Sequence, residues 1–368
     1  MHMKKIIKIV SVIVVVLVLI LLAARNYENG AKIKIGVIAP QTGFGAYWGG
    51  PVAKGVQMAE KDLENMYGKG KVEVTIEDSQ SSAPRGVSAA QKLLSADKVD
   101  ALYVEFSSVA YAVGPVAKSA NKIMMYSAYN QKIVEENPNS IKTFLSFEVA
   151  CREFVKKIDG SNKKYLIVSA VGDVASYCQS GLGESSVPME NIKVVQGLSP
   201  KDTDFRTILL QNKSFAPDYI VPIMYEDGSY SILKQANDMG IKAGFFSDKQ
   251  DLVTEKNIAN LPAEATNNVY YFEAPVNQVF ADKIKKLYPN MNVDDIQAAA
   301  NSYQSIMALG IGLADCEKNK DVECVANKLA NKNDLPVVGY ENAKFVNRVL
   351  VSDLVFGRVV NKEKVEIK

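Results

Sequence analysis

From Ile33 onward, apolar residues fall into short runs separated by longer stretches in which they recur every three or four positions. The short runs are rich in Val, Ile, Tyr and Phe, the pattern of strands buried on both faces. They predict strands at Ile33–Ala39, Val72–Asp78, Ala101–Glu105, Ile123–Tyr126, Thr143–Phe147, Tyr165–Ser169, Ile192–Gln196, Tyr219–Ile223, Ala243–Phe246 and Val269–Phe272. Between them the periodic stretches predict helices at Val52–Met66, Arg85–Ala96, Ala110–Asn121, Cys151–Ile158, Phe205–Asn212, Ser229–Met239 and Gln278–Tyr288. Pro40–Pro51 reads as a loop rich in Gly, Thr and aromatic residues. Strand–helix alternation implies parallel sheets built from right-handed crossovers.

Two longer helical patterns, Asp294–Asp315 and Asp321–Asn331, break the alternation. In the first, Ile296, Ala299, Ala300, Tyr303, Ile306, Met307 and Gly310 share one face, a packing surface. The tail, Pro336–Ile367, reads as strands with turns at Gly339 and Gly357. A chain of 368 residues exceeds one ordinary core, so two lobes are expected. The chain would cross between them near Phe144–Glu148, Phe272–Pro275 and Leu335–Val338. That divides the fold into one lobe of residues 33–147 plus 274–334 and a second of 148–273 plus 335–368. Residues 1–25 form a membrane or signal segment, and 26–32 a linker.

The N-terminal apolar run, Ile6–Ala24, is 19 residues long and flanked by Lys4 and Lys5. At about 1.5 Å per residue it just spans a ~30 Å hydrocarbon layer. The lysines would stay in the cytoplasm and everything after Arg25 would lie outside. A cleaved signal peptide is the competing reading, although Leu22-Ala23-Ala24 is a poor cleavage site. No cysteine follows the run, so it does not read as a lipoprotein anchor. Either way the folded part is placed on the extracytoplasmic face, held by residues 6–24 or released as a periplasmic or secreted protein.

Composition narrows the function. Setting aside Lys4, Lys5, Lys8 and Arg25 leaves 39 basic and 41 acidic residues, which is no footprint for nucleic acid. His2 is the only histidine, so the folded region holds no Ser-His-Asp triad, Cys-His pair or histidine metal site. The four cysteines suit an oxidising compartment. Cys316 and Cys324 can close a small loop, and Cys151 and Cys178 can pair across a helix–strand–helix unit. Four cysteines allow three connectivities, and four buried thiols are a further possibility.

Specific residues then point to a family. Ile33-Lys-Ile-Gly-Val-Ile-Ala-Pro-Gln-Thr-Gly43, Ala46-Tyr47-Trp48-Gly49 and Gly55 are followed in order by Glu77-Asp78, Ser107-Ser108 and Met125-Tyr126-Ser127-Ala128. Asp202-Thr-Asp-Phe205, Gln235-Ala-Asn-Asp-Met-Gly240 and Ala298-Ala-Ala-Asn-Ser-Tyr303 come next. This series resembles the type 1 periplasmic substrate-binding proteins, nearest the leucine/isoleucine/valine-binding group of ABC-transporter receptors. The resemblance implies two similar α/β lobes, each a parallel-sheet three-layer sandwich, joined by a multi-crossover hinge. It also implies a receptor that closes on an amino acid or similar small molecule and presents it to ABC permease subunits, with no reaction catalysed and no cofactor.

Open α/β sheets bind ligands beyond the carboxyl ends of their strands. Ser107 and Ser108 sit where a helix begins, and their hydroxyls and free N–H groups favour an anion. By resemblance one of them meets a ligand carboxylate; otherwise they are helix caps. Ser127, Ala128, Tyr129 and Asn130 follow the next strand. There Tyr129-Asn130 replaces the small residues and Thr usual in the family, which argues for a reshaped pocket. By resemblance Trp48 covers the solute. In the second lobe, Tyr225, Glu226 and Asp248 follow strands. Asp248 matches the family's acidic position and would pair with a substrate ammonium, with Asp251 as its alternative in another register. Asp173 or Tyr177 would add a contact.

Two rival readings follow. Gly43-Phe-Gly45 with Gly49, then Glu77 and Asp78, has the ingredients of a dinucleotide site. Its spacing is GxGxxxG rather than GxGxxG, and an exported protein rarely meets NAD. A membrane-anchored sensor is the other. Only Met1–Lys5 precedes the apolar segment, so signalling would need a partner protein.

Overall fold

The computed structural model describes residues 32–316, 321–330 and 339–367, excepting the side chains of residues 226, 227, 250 and 251. Fourteen strands are described, in chain order. The first five are β1 (Ile33–Ala39), β2 (Val72–Asp78), β3 (Ala101–Glu105), β4 (Ile123–Ser127) and β5 (Ser140–Lys142). Then come β6 (Tyr165–Ser169), β7 (Ile192–Val195), β8 (Tyr219–Ile223), β9 (Gly244–Asp248) and β10 (Val269–Glu273). The last four are β11 (Lys344–Val346), β12 (Val349–Val351), β13 (Val355–Val360) and β14 (Glu363–Glu366). They form two seven-stranded sheets, ordered β11-β12-β5-β4-β3-β1-β2 and β14-β13-β10-β9-β8-β6-β7.

The central pairs are parallel: β1 with β2 and β3, and β6 with β7 and β8. Strands β3, β4 and β6 are buried along their whole length, which is why they carry apolar residues on both faces. The expected all-parallel sheets are in fact mixed. β11 runs antiparallel to β12, and β13 antiparallel to both β10 and β14. Two-residue turns impose the β11–β12 and β13–β14 pairings. Asn347 and Arg348 have φ of 49° and 67°, and Asn361 and Lys362 have 49° and 70°, the left-handed pairs that tight hairpins need. Gly357, expected at a turn, lies inside β13.

Three further expectations are corrected. Residues 344–351 join the first sheet rather than the second lobe, so the last crossing falls between β12 and β13. Leu335–Val338, where it was expected, lies outside the described residues, as does the apolar segment Ile6–Ala24. Thr143–Phe147 is not a strand. The chain crosses there from β5 to the helix Phe147–Lys157, which Ser146 caps through its hydroxyl on the Val149 N–H. The helix expected from Val52 begins six residues earlier, at Ala46. Its Gly49 reads as a loop residue but is demanded by contact, since a Cβ there would lie 1.9 Å from the Pro40 carbonyl oxygen.

The crossing is held by a buried lysine. Lys142, at the end of β5, is fully buried and donates to the carbonyls of Phe144 and Leu145. The helices Ala46–Tyr67 and Val293–Asp315 pack together over the first sheet, with the Ser302 hydroxyl bonded to the Val52 carbonyl at 3.0 Å. A Cβ on Gly55 would stand 2.2 Å from the Ala299 carbonyl oxygen. Gly55→Ala is therefore expected to lower the unfolding free energy by roughly 1–3 kcal/mol, read from urea denaturation; an unchanged midpoint would mean that the helices separate without cost.

Cys151 is bonded to Cys178, and Cys316 to Cys324. Among the described residues no helix is long and apolar enough to cross a membrane, and no group of three or more metal-ligating side chains occurs.

Candidate functional site

The loops beyond the carboxyl ends of β1, β3 and β4 face those beyond β6 and β8, and three adjoining cavities lie at and beside this gap. The innermost, of about 50 Å³, is lined by Tyr47, Trp48, Glu105, Phe106 and Ser107, by Ser127, Ala128 and Tyr129, and by Phe144 and Tyr225. A second, of about 350 Å³, shares Ser107 and Tyr225 and extends over Ser108, Asn130, Lys132 and the Ala170–Asp173 loop. A third, also about 350 Å³, shares Tyr47 and Trp48 and reaches Thr254–Lys256, Asn292 and Asp294–Asp295.

An aromatic bridge closes the gap between the lobes. Tyr225, at the start of the helix Glu226–Asp238, stacks on Phe106 with ring centroids 5.1 Å apart and planes 9° from parallel. Phe44 meets both rings edge-on at 5.6 Å. Phe106 holds a φ of 77°, a conformation that costs a bulky residue on the order of 1–3 kcal/mol. That strain aims the ring across the cleft. Deeper in, Tyr129 packs edge-on against Phe144 and Phe147, each at 4.9 Å, which ties the β4 loop to the crossing segment.

The polar residues are arranged in layers. Ser107 begins the helix Ser107–Ser119, and its hydroxyl accepts the Tyr129 N–H at 3.3 Å. Ser108 is exposed in the second cavity. Asn130 spends its side-chain oxygen on the Lys132 N–H at 2.8 Å. Ser127 accepts from the Asn301 amide at 2.7 Å.

Glu105, which the sequence reading treated only as a strand end, is the one carboxylate among the described residues lining the innermost cavity. It is 1% exposed. Its Oε2 accepts the Trp48 indole N–H at 3.0 Å, its Oε1 accepts the Tyr103 hydroxyl, and Ser127 also bonds to it. Burial pushes its carboxyl up to about 7, against these three hydrogen bonds. Among the described residues no lysine or arginine lines this cavity. The only hint in the sequence is an acid ending an otherwise apolar strand, beside the Phe106-Ser107 turn.

Of the residues singled out from sequence, the structure gathers Trp48, Ser107, Ser127, Ala128, Tyr129 and Tyr225 on the innermost cavity. Ser108, Asn130 and Asp173 lie on the second. Trp48 stands in the first turn of a helix rather than in a loop, fixed by its bond to Glu105. Tyr177 faces the Lys132 backbone from across the cleft, and burial pushes its hydroxyl up to about 12. Asp248 is not on any of these cavities: it is fully buried at the end of β9, near Tyr340. The side chains of Glu226 and Asp251 lie outside the described ones. The dinucleotide reading meets a structural explanation, because Asp78 accepts the Gln41 and Gln80 N–H groups at 2.9 and 2.8 Å and the Thr42 hydroxyl at 2.5 Å. It closes its own loop.

Comparison with known proteins gives a consistent result. The profile of a family described as periplasmic binding protein matches residues 32–364. The Leu/Ile/Val-binding protein homolog 1 of Brucella melitensis is 23% identical over 326 residues, covering 84% of this chain and 85% of its own length. The crystal structure of the leucine-binding protein LivK from Thermotoga maritima superposes with a TM-score of 0.75 at 21% identity, over 91% of this chain and 97% of that one. An ABC-transporter solute-binding protein from R. palustris, solved in complex with 4-hydroxybenzoate, gives 0.75 at 19% identity, over 92% and 95%.

Proposed function

This chain belongs to the periplasmic binding protein family, and we propose that it captures a small amino-acid-like solute between its lobes and hands it to an ABC permease. The observation that carries the reading is the cleft itself: strand-end loops of both lobes converge on adjoining cavities, with Tyr225 of one lobe stacked on Phe106 of the other. A solute that touches both lobes favours the closed arrangement by its differential affinity for it. The residues serve as binding groups and no reaction is assigned to them.

Within the cleft, Ser107 and Ser108 at their helix start, with Lys132 and Asn130 nearby, form the end suited to a solute carboxylate. Trp48, Tyr129 and Tyr225 form the apolar walls. The relatives named above include a leucine-binding protein and one solved with an aromatic acid, so an apolar or aromatic body suits the aromatic lining. Membrane anchoring through residues 6–24, on the extracytoplasmic face, would keep the receptor beside its permease.

Tyr225→Ala removes the ring that bridges the lobes. It is expected to weaken solute binding at least about tenfold, the effect of losing a buried aromatic anchor. Calorimetric titration with an amino-acid panel checks this. Undiminished affinity in the variant would place the solute elsewhere.

A further inference from the structure

The second lobe's expected ammonium partner, Asp248, is enclosed away from the cavities, while Glu105 of the first lobe lines the innermost one. An ionised carboxylate offers about four lone-pair positions. Trp48, Tyr103 and Ser127 supply three donors, which leaves one for an occupant. The Ser127 hydroxyl accepts from Asn301 and has one proton, for which Tyr103 competes with Glu105, so at least one carboxylate position stays open. Of the ten described residues around the cavity six are aromatic and none is cationic. An anion placed here would meet like charge without a counter-ion. A cation would meet a carboxylate and the negative faces of aromatic rings. The volume, about 50 Å³, admits an ammonium head rather than a whole solute, whose remainder would extend into the larger cavities on either side.

We propose that this pocket receives the protonated amine of the solute, with Glu105 as its counter-ion, so that the substrate class is small primary amines, amino acids included. The assignment rests on the solute-receptor reading above and names the end of the solute that enters first. It also separates amines from carboxylic acids of the same shape, because only the former bring the charge that Glu105 lacks.

The test is calorimetric titration of the full-length protein with charge-reversed pairs on one carbon skeleton: ethylamine against propionate, 3-methylbutylamine against 4-methylpentanoate, and 1,4-diaminobutane against hexanedioate. At least one amine is expected to bind about tenfold or more tighter than its matched carboxylate. Glu105→Gln, which keeps the shape, should lose at least that factor. Should the variant fail to fold, the wild-type pH profile decides. Amine affinity should rise about tenfold from pH 6 to pH 8 as Glu105 ionises. The titratable groups facing Glu105 are Tyr103 on its own strand and Tyr340 beside it, both held well above 10 by burial, together with Tyr47, Tyr129 and Tyr225 across the cavity. Carboxylates binding as tightly as their amines, a flat pH profile, or no amine binding at all would overturn the assignment. If carboxylates bind in place of amines, the receptor reading stands alone. If no solute in a broad panel of amino acids, sugars and aromatic acids shifts the unfolding temperature, both fall.

Discussion

The unfolding free energy is expected to pass through a minimum near pH 7, where most proteins approach their maximum. Two fully buried groups cause this from opposite sides. Burial raises Glu105 from 4.5 to about 7. Between those values the folded chain holds a proton that the unfolded chain has released, so stability falls as pH rises and the loss is complete above 7. Burial lowers Lys142 from 10.5 to about 7. Above 7 the unfolded chain holds the extra proton, so stability climbs. Each limb amounts to roughly 3 kcal/mol between pH 4.5 and 7 and between pH 7 and 9.5. Glu60 and Asp295, also raised by burial, add to the acid limb. The buried tyrosines act only above pH 10. Urea denaturation across this range checks the shape. Glu105→Gln should remove the acid limb and Lys142→Met the alkaline one; a profile that rises steadily to pH 7 would refute the raised Glu105, and one that is flat above pH 7 the lowered Lys142.

Loss of the Cys151–Cys178 bond is expected to cost roughly 3–4 kcal/mol, on the order of 10 °C in unfolding temperature. The bond joins residues 27 apart in sequence and ties the helix Phe147–Lys157 to Val174–Glu184. Both residues are wholly buried, and replacing the pair by alanine removes the bond without leaving a free thiol. The Cys316–Cys324 bond spans only 8 residues, and its removal should cost roughly 1 kcal/mol less. Differential scanning calorimetry of the two double variants gives the comparison. An equal or smaller loss at Cys151–Cys178 would mean that the unfolded chain is already constrained there.

Much of the fold was legible because strands buried on both faces advertise themselves by continuous apolar runs, and crossover helices by their period. β1, β2, β3, β6 and β8 fall where those runs predict. Legibility failed where a contact outweighs local preference. Gly49, Gly50 and Pro51 resemble a loop, yet the helix runs through them, and Gly49 is there because the Pro40 carbonyl fills the place of a side chain. Thr143–Phe147 has strand composition, but Ser146 caps a helix and Lys142 holds the segment as a crossing. The tail depended on which edge each hairpin reaches, which no local pattern carries. The site was half legible. Serines and aromatics after strands are a recognisable signal, and most of those singled out meet on two cavities. Glu105 and Asp248 are both acids ending strands; only strand order and the packing behind them put one on the cleft and the other in the core.

The two terminal hairpins have a consequence for when the chain can fold. β12 covers the open edge of β5 and β13 that of β10, and both follow every strand they cover in the chain. Until those strands emerge, each sheet presents an unpaired edge, a template for association with other chains. Neither half can be completed ahead of the other during synthesis. One stretch, residues 344–366, thus seals both sheets in a single pass.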